Sequence, residues 1–391
     1  MNKLKIFYIA PSVMPSRSAH SVHIARMCEA LSATGHELFL FIKSPFQKYE
    51  KLKTTIEEYY KVNLAAGQII AFTGFGKTAI TIQIALMSVL QICLDAIRGH
   101  RPDIIISRNL YASFLMGFLF RQRIIFETHY VERGFRSLLQ RSLLRCSWVK
   151  TVVVSWALKT YFTQRDNLPD KQIMVLPDAA PAGIKKLSAE EKRAIRFRYC
   201  DKIKFDQFRA VVGYFGHLYP GRGIEIIQHL AMLHPDVAFI VFGGNEEDLQ
   251  KIKNRTLPSN LYLMGYLQYS HVLHAMGMMD VLLMPYQKQV YIGMGETDTA
   301  QWMSPMKMFE YMAVGVPFIA SRLPVLEEVL VDGRNCLLAI PDDPVDWSNC
   351  LNRLLDNQEL ANRTAITAHE EYEKNYTWLI RAQKMIDLVS H

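Results

Sequence analysis

The chain has 391 residues, half of them hydrophobic and 21% charged, a composition that indicates a folded globular protein and excludes a mainly disordered one. This length predicts two domains, each large enough to bury its own core. The formal net charge of +8 favours an anionic partner, such as nucleotide phosphates, an acidic membrane surface or nucleic acid. Six cysteines are scattered without metal-ligand spacing, which argues against a zinc site or a disulfide framework and indicates a reducing compartment.

Predicted strands and helices alternate through the first half of the chain. We prefer a first strand at Leu4–Ala10 over a signal peptide because its apolar run is too short before Pro11. Later strands are predicted at Glu37–Lys43, Gln68–Phe72, Asp103–Ser107, Ile124–Glu127, Thr151–Ser155 and Ile173–Leu176. The alternation indicates a doubly wound parallel sheet, in which ligand-binding loops follow the carboxyl ends of the strands.

One predicted helix in this half, Ala79–Ile97, is strongly apolar. Gln83, Gln91 and Asp95 interrupt it, and its length is marginal for a membrane span. We therefore expect a helix that is buried in the protein or lies along a membrane surface. The expected location is cytoplasmic, and a peripheral position on an inner membrane stays open.

A second alternating series follows the charged segment 182–208, which we interpret as a linker. Strands are predicted at Arg209–Tyr214, Ala238–Phe242, Leu261–Met264, Val281–Met284 and Val316–Ala320. Helices of this series are predicted at Gly223–Leu233, His271–Met278, Leu351–Asp356, Glu359–Tyr372 and Trp378–Val389. In the first half, a further helix is predicted at Leu110–Phe120. The pattern therefore predicts two domains of the same kind, over 1–185 and 205–372.

The segment Ser304–Pro317 has the pattern of a helix that begins at a phosphate site. Ser304 is suited to cap this helix and Pro305 to occupy its first position. The unpaired N–H groups of such a start favour an anion, and Lys307 adds a full positive charge. Glu310 lies about one and a half turns further along, where it can meet a ribose hydroxyl. Read alone, the segment could equally be an ordinary capped helix.

A glycine-rich turn, Gly213–Gly223, lies between a predicted strand and a predicted helix. Its glycines would let the backbone approach a ligand closely, and Arg222 offers a fork of donors suited to phosphate. Such a turn is weak support by itself. Together with the helix start near Ser304, it predicts a two-sided clamp on a diphosphate.

A competing motif occupies residues 71–78. The letters AFTGFGKT fit a loose form of the P-loop between a strand and a helix. A P-loop fold also needs an aspartate at a strand end to hold magnesium. The predicted strands end in Ala10, Ser107, Glu127, Ser155 and Met284. We therefore favour an ordinary turn with an exposed Lys77 and keep an NTPase as the lesser alternative.

Other polar side chains also lie near predicted strand ends. His129 closely follows a strand, where α/β sheets place their ligands, so a functional and a structural role are equally open. The loop that contains Ser18 and His20 follows the first strand. Glu296 and Asp298 form a carboxylate pair whose default interpretation is solvated loop charge. No nucleophile with a committed base and no metal-ligand cluster is predicted.

Three segments of the second half resemble the large bacterial family of retaining GT-B glycosyltransferases that use nucleotide-sugar donors, the family 4-like "glycosyl transferases group 1". The segments are GYFGHLYPGRGIE, MGYLQYSHVLHAMGMMDVLLMPY and SPMKMFEYMAVGVPFIASRLPVLEEVLVDGRNCLL. Weaker agreement comes from SVHIARMCEALSATGHE, FETHYVERG, VVVSWALKTYF and YTWLIRAQKMI. The resemblance implies an α/β fold with two Rossmann-like domains facing across a cleft, and a last helix, 377–391, that packs back on the first domain.

The resemblance also implies roles for individual residues. Glu310 matches the glutamate that holds the ribose, and His129 matches the histidine near the donor sugar. Arg222 stands where a basic residue contacts the diphosphate, whereas His217 replaces a common arginine. Trp302 replaces one of two paired glutamates, so either Glu296 or Asp298 substitutes for it or Lys307 and backbone amides hold the donor differently. The other expected donor contacts are Gly216, Gly244, Leu267, Ser304, Pro305 and Met306, with Ser18, Ala19 and His20 in a loop under the phosphates.

The resemblance implies a transferase that moves a sugar from a nucleotide diphosphate sugar to a glycan, lipid-linked or small acceptor. Retained stereochemistry is expected, without a metal or a bound cofactor. His129, Arg222 and Lys307 are the expected catalytic residues, the last two because positive charge stabilises the leaving diphosphate. An anionic membrane surface is a further expected partner, and nucleic acid is not, because no concentrated basic stripe is present. A nucleotide-sugar epimerase or hydrolase on the same fold is the first alternative.

Overall fold

The computed structural model describes residues 3–44, 49–64, 67–72, 80–253, 256–291 and 298–390. The chain divides into two compact units. The first is Met1–Asp178 with Trp378–His391, and the second is Ala179–Thr377. The last helix therefore belongs to the first unit, and the segment 182–208 belongs wholly to the second.

Seven parallel strands form the sheet of the first unit. They are β1 (Lys5–Val13), β2 (Glu37–Lys43), β3 (Gly67–Phe72), β4 (Ile104–Ser107), β5 (Ile124–Thr128), β6 (Val149–Val153) and β7 (Ile173–Val175). Their order is β3-β2-β1-β4-β5-β6-β7, so the direction of winding reverses between β1 and β4. This reversal is the point at which doubly wound sheets bind their ligands.

Helices connect these strands. They are α1 (Ala19–Ala33), α2 (Tyr49–Tyr60), α3 (Ile80–Ile97), α4 (Leu110–Ser113), α5 (Phe135–Leu144) and α6 (Trp156–Asp166), and the last helix of the chain, Trp378–Ser390, is labelled α14. α6 was not predicted. Its N-cap, Ser155, accepts a hydrogen bond from the Leu158 N–H, so the segment predicted to end β6 begins this helix instead.

The predicted helix Leu110–Phe120 is only partly correct. After α4 the backbone continues as a π-helical segment, Phe114–Leu119. Gly117 in this segment packs so closely on the sheet that an added Cβ would lie 2.9 Å from Ile124 Cγ2 and 3.0 Å from Val149 Cγ2. The wider helix thus brings backbone rather than a side chain against the sheet.

Six parallel strands form the sheet of the second unit, in the order β10-β9-β8-β11-β12-β13. Their bounds are β8 (Ala210–Phe215), β9 (Val237–Phe242), β10 (Leu261–Gly265), β11 (Val281–Met284), β12 (Phe318–Ser321) and β13 (Leu337–Ala339). The order reverses between β8 and β11. The predicted architecture of two doubly wound parallel sheets is confirmed.

The helices of the second unit are α7 (Ala189–Tyr199), α8 (Ile224–Leu233), α9 (Glu246–Lys253), α10 (Tyr269–Gly277), α11 (Met306–Ala313), α12 (Pro344–Asp356) and α13 (Gln358–Asn375). α7 lies in the segment interpreted as a linker. Ser188 and Glu191 form a capping box at its start, and Arg196 donates to Asp280 at 2.8 Å. These bonds hold the segment on the second unit.

A glycine is required at the start of α8. Gly223 has φ 80°, and a Cβ added there would lie 1.8 Å from the carbonyl oxygen of Pro285. Gly333, in the same unit, has φ 71° but no atom within 4 Å of an added Cβ. An alanine would therefore have a strained backbone at either position, but only Gly223 lacks the space for its Cβ.

We expect Gly223→Ala to lower the urea midpoint of the second unit far more than Gly333→Ala. Both variants incur the cost of a left-handed alanine, about 1–2 kcal/mol, but only the first must also displace the backbone at Pro285. Urea unfolding followed by circular dichroism measures the two midpoints. Equal midpoints would show that the loop after β11 moves away from the added Cβ without a loss of stability.

Candidate functional site

Two segments of the second unit meet at its switch point, the glycine-rich turn after β8 and the first turn of α11. Gly216 has φ 147°, and a Cβ added there would lie 2.6 Å from Lys307 Nζ. The backbone carbonyl of Gly216 in turn lies against Gly243, where an added Cβ would come within 1.9 Å of that oxygen. The structure therefore brings together the two segments that the sequence predicted as a clamp.

The ammonium group of Lys307 is the main unsatisfied charge at this point. Its Nζ is buried and has no hydrogen-bond partner among the described residues. Aromatic faces flank it instead, with the ring centroid of Tyr214 at 4.0 Å and that of Tyr286 at 5.1 Å. Burial holds the pKa of Lys307 well below its usual range, and the charge of Arg222 adds to this while that of Glu310 opposes it.

Arg222 places a second cation beside the first. Its guanidinium carbon lies 4.9 Å from the ring centroid of Tyr286, and Nη2 donates to the Tyr291 carbonyl at 3.4 Å. The buried Nε has no partner among the described residues. Two cations with buried, unused donors destabilise each other unless an anion joins them, so the arrangement is suited to hold one.

The helix start itself differs by one residue from the prediction. Pro305, not Ser304, occupies the N-cap position of α11, in an extended conformation and without a side-chain cap. Proline has no N–H and an extended residue cannot begin the helix, so Met306 is its first residue. The N–H groups of the first turn, which α11 cannot satisfy internally, therefore point out of its start beside Lys307.

Glu310 lies one turn further along α11 and is buried. Its Oε1 accepts a hydrogen bond of 2.9 Å from the hydroxyl of Tyr269, the first residue of α10. Leu267, a predicted donor contact, lies two residues earlier in the turn between β10 and α10. Tyr269 was not predicted, because nothing in the sequence connects it with a carboxylate 41 positions away.

The remaining predicted donor contacts of this unit form the walls of the turn. His217 stacks on Tyr219, with ring centroids 4.7 Å apart and planes within 6°. Its carbonyl accepts a bond of 2.7 Å from the Tyr214 hydroxyl. Gly244 has φ 77°, and a Cβ added there would lie 2.6 Å from Leu218 Cδ1. These contacts fix the path of the turn that ends at Arg222.

Asp298 orders the backbone of the loop between β11 and α11. Its Oδ1 accepts hydrogen bonds of 2.9 Å from both Val290 N and Ala300 N. This commitment to the backbone does not support the donor-sugar role predicted for its carboxylate. Glu296, the alternative, lies outside the described residues. Trp302 follows in the same loop, and its N–H donates to the Thr299 carbonyl.

A second polar cluster lies in the first unit, centred on the buried carboxylate of Glu127. Its Oε1 is 2.9 Å from Arg381 Nη2, 3.1 Å from His23 Nε2, and 2.8 Å from His129 Nε2. Burial raises the pKa of Glu127, but the charges of Arg381 and Arg108 outweigh it and hold that pKa well below its usual range. Glu127 is therefore a carboxylate anion that serves several donors at once.

His129 is held as a neutral ring by its two neighbours. An arginine can only donate, so the contact of 3.3 Å from Arg108 Nη2 makes His129 Nδ1 an acceptor. Its Nε2 then carries the proton and donates to Glu127. Burial, followed by the charge of Arg108, lowers the pKa of His129 to about 4. With both nitrogens engaged, this imidazole is not suited to act as a general base.

The last helix completes the cluster. Arg381 of α14 donates to Glu127, to the Leu176 carbonyl at 3.3 Å and to the Pro177 carbonyl at 2.9 Å. One buried side chain thus connects α14 with the ends of β5 and β7. None of these residues except His129 was predicted to have a role in the site. The sequence signals that could have found them are FETHYVERG for Glu127, SVHIARMCEALSATGHE for His23 and YTWLIRAQKMI for Arg381.

The loop after β1 is ordered by its own hydroxyl groups. Ser18 is the N-cap of α1 and accepts from the Ser21 N–H at 3.2 Å, while the Ser16 and Ser21 hydroxyls lie 2.6 Å apart. Ala19 begins the helix. His20 Nε2 is buried without a partner among the described residues, and burial holds its pKa well below its usual range. The role under the phosphates that is expected of Ser18, Ala19 and His20 stays a prediction.

One group of side chains in the first unit has the spacing of metal ligands, although the sequence predicted no metal-ligand cluster. His23, His129 and Asp178 lie close enough to share a metal ion. However, Asp178 already pairs with His23 at 3.0 Å, and two arginines surround the adjoining Glu127, so we describe the group as an ion-pair cluster. The P-loop-like motif 71–78 lies outside the described residues from 73 onward.

We expect the first unit to lose stability as the pH falls from 6.5 to about 4. An unfolded histidine takes up a proton near pH 6.5, whereas folded His129 does so only near 4, so the unfolded state binds more protons in this window. The loss from this group is at most about 3 kcal/mol. His129→Gln keeps one donor and one acceptor without the titration, so its urea midpoint should vary less with pH. An identical pH slope in both proteins would contradict the assignment.

Comparisons with known proteins agree with this geometry. A family model described as glycosyl transferases group 1 matches residues 209–357, the part that contains Arg222, Lys307 and Glu310. Two uncharacterised glycosyltransferases of Methanocaldococcus jannaschii are similar to the chain. One is 28% identical over 42% of this chain and 43% of its own length. The other is 23% identical over 71% of this chain and 72% of its own length. The first match thus spans less than half of that relative.

The solved structure of HepE from Anabaena, in complex with UDP and glucose, superposes with a TM-score of 0.71. The superposition covers 99% of both chains at 17% sequence identity. At this identity the likeness shows a shared fold, and it extends over both units.

Proposed function

Residues 209–357 match the glycosyl transferases group 1 and the chain has the GT-B fold, and from this premise we propose that it is a glycosyltransferase of this family that transfers a sugar from a nucleotide diphosphate sugar to an acceptor. The observation that carries the proposal is a pair of cations at the switch point of the second sheet, Lys307 and Arg222, each with one buried donor atom that has no partner among the described residues. HepE binds UDP and UDP-glucose, which makes UDP-sugars the first candidates for the donor.

The chemistry follows from the charges. Cleavage of the anomeric C–O bond leaves negative charge on the nucleotide diphosphate and positive charge on the sugar. Lys307, Arg222 and the N–H groups at the start of α11 would stabilise the leaving diphosphate, and such preorganised donors contribute about 3–4 kcal/mol each. Glu310, held by Tyr269, is suited to accept from ribose hydroxyls. We propose that the reaction retains the anomeric configuration and needs no metal.

The other expected partners are part of the proposal. The acceptor is a glycan, a lipid-linked intermediate or a small molecule, and the location is cytoplasmic. The contact expected between His129 and the transferred sugar is part of the proposal, with the ring as a neutral imidazole rather than as a base. An epimerase or hydrolase would consume the donor without an acceptor. Product analysis with and without acceptor therefore separates these activities from transfer.

We expect Lys307→Met to stabilise the ligand-free protein and to weaken the binding of UDP. Removal of a buried, unpartnered ammonium should raise the free energy of unfolding by about 1 kcal/mol. Loss of a charged hydrogen bond to the diphosphate should weaken UDP about 10- to 100-fold. Thermal unfolding with and without UDP measures both effects.

The matched control is Lys288→Met, which removes an exposed lysine of the same unit. It should change neither the free energy of unfolding nor the affinity for UDP. If Lys307→Met lowered stability and left the affinity for UDP intact, the lysine would be a packing residue and the diphosphate site would lie elsewhere.

We expect Glu310→Gln to weaken uridine and UDP by the same factor, about tenfold or more, because a ribose contact is common to both ligands. Lys307→Met should leave uridine unaffected. Tyr269→Phe, which frees one oxygen of Glu310, should have a smaller effect of the same kind. Calorimetric titration with both ligands makes the comparison. A Glu310→Gln protein that bound uridine normally would remove Glu310 from the nucleoside site.

A further inference from the structure

The outer face of α3 is apolar although it is exposed. The inner face buries residues such as Ile84, Val89 and Ile92 against the sheet. The outer face carries six large apolar side chains, among them Leu86 at 57%, Leu90 at 55% and Ile97 at 82% exposure; the others are Ile82, Met87 and Leu94. A helix on the surface of a soluble domain normally presents polar residues to water. An apolar outer face indicates that something apolar covers it.

The apolar surface continues onto the neighbouring helices. The π-helical segment and its end expose Phe118, Leu119 and Phe120, and α5 exposes Leu138. Trp148, just before β6, donates its indole N–H to the Gly117 carbonyl at 2.7 Å and is itself partly exposed. We call this surface, made by the outer faces of α3, the π-helical segment and α5, the apolar layer. Eleven of the 23 large apolar side chains exposed in the described residues lie on it.

The apolar layer has a cationic border. Residues 80–150 contain ten Arg and Lys against four Asp and Glu, a formal charge of +6 within a total of +8 for the chain. The acidic side chains are largely occupied: Glu127 lies within the buried cluster and Glu132 pairs with Arg136 at 2.7 Å. Arg101 and Arg123 are exposed where α3 and the π-helical segment return to the sheet. Arg121 lies 5.6 Å from the ring centroid of Trp148.

A pocket on the layer shows the same combination of chemistry. Phe118, Leu138 and Trp148 line it together with Arg141 and Arg145. Both arginines approach a single carboxylate, Asp166, at 2.7 and 3.6 Å, so the positive charge there exceeds the negative. Apolar and aromatic side chains beside excess arginine match the boundary between acyl chains and anionic headgroups.

We propose that the apolar layer docks on an anionic lipid membrane surface, with α3 lying in the plane of the interface. By length and composition alone α3 could cross a membrane, and it is the one helix of the described residues that could. However, its inner face packs on the sheet of the first unit, so in this fold it lies along the surface rather than across it. The border arginines would meet lipid phosphates.

Docking in this way leaves the carboxyl ends of the strands free. The border arginines lie where β4, β5 and β6 begin, whereas the loops after β1 and β5, with His20 and His129, lie where strands end. The border arginines and the ligand edge are therefore at opposite ends of this sheet. The docking proposal does not rest on sugar transfer, and it can be tested without measuring that reaction.

Flotation with lipid vesicles tests the proposal. Vesicles of phosphatidylcholine with about one third phosphatidylglycerol should bind the protein at low salt and release part of it as salt screens the charges. The triple variant Leu86→Gln, Leu90→Gln and Ile97→Gln should bind about tenfold more weakly, because apolar side chains leave the bilayer. Its control is Met232→Gln, Leu233→Gln and Ile366→Gln, which removes three exposed apolar side chains of the second unit.

A second pair of variants tests the charge. Arg101→Gln with Arg123→Gln should weaken binding to anionic vesicles about fivefold per charge removed and leave binding to pure phosphatidylcholine unchanged. Arg193→Gln with Arg198→Gln, on exposed positions of α7, removes the same charge elsewhere and should have no effect.

Three results would overturn the proposal. The first is the absence of binding to anionic vesicles, and the second is equal loss of binding in the test and control variants. The third is a dimer in lipid-free solution, detected by sedimentation, that the Leu86, Leu90 and Ile97 substitutions dissociate. That result would make a second copy of the chain the partner of the apolar layer.

Discussion

The arrangement of the second unit depends on one unfavourable feature, the buried ammonium of Lys307. An ammonium group at this depth costs free energy unless an anion accompanies it. The faces of Tyr214 and Tyr286 flank it, and the charge of Glu310 offsets only part of the cost. The surrounding glycines matter for the same reason, since a Cβ at position 216 would occupy the place of the amine. The fold therefore keeps a positive charge that the proposed function pairs with a diphosphate, and the stability of the ligand-free protein should be lower for that reason.

In the first unit, by contrast, the buried charged side chains form ion pairs with one another. Glu127 accepts hydrogen bonds from Arg381 and His129 and lies within 4.0 Å of His23 and Arg108, and Asp178 pairs with His23. A carboxylate that serves so many donors cannot be replaced without leaving unpaired cations, a loss of about 3–5 kcal/mol in comparable cases. The cluster thus fixes α14 and the neutral form of His129 together. The buried charges of the first unit thus pair with one another across several elements, whereas no described carboxylate forms an ion pair with Lys307.

The sequence predicted those features that depend on local pattern. Alternating apolar runs located most strands within two residues, and the turn at Arg222 and the helix at Lys307 were recognised by glycine, proline and charge. The contacts that it missed join distant positions: Arg381 meets Glu127 across 254 residues, and Tyr269 meets Glu310 across 41. No periodicity records such pairs. Ser304 was assigned as a cap because the local pattern allowed it, although the extended Pro305 takes that position.

The apolar outer face of α3 could be recognised only from the structure. Its composition alone could not distinguish a core helix from one that meets lipid, because both are apolar on every side. The sheet then covers one face and leaves the other open, so the core accounts for only part of the pattern. Selection for folding alone would tolerate polar residues at Leu86, Leu90 and Ile97. Their apolar character, beside an excess of arginine, therefore requires a cause outside the fold, and an anionic lipid surface provides both of the required interactions.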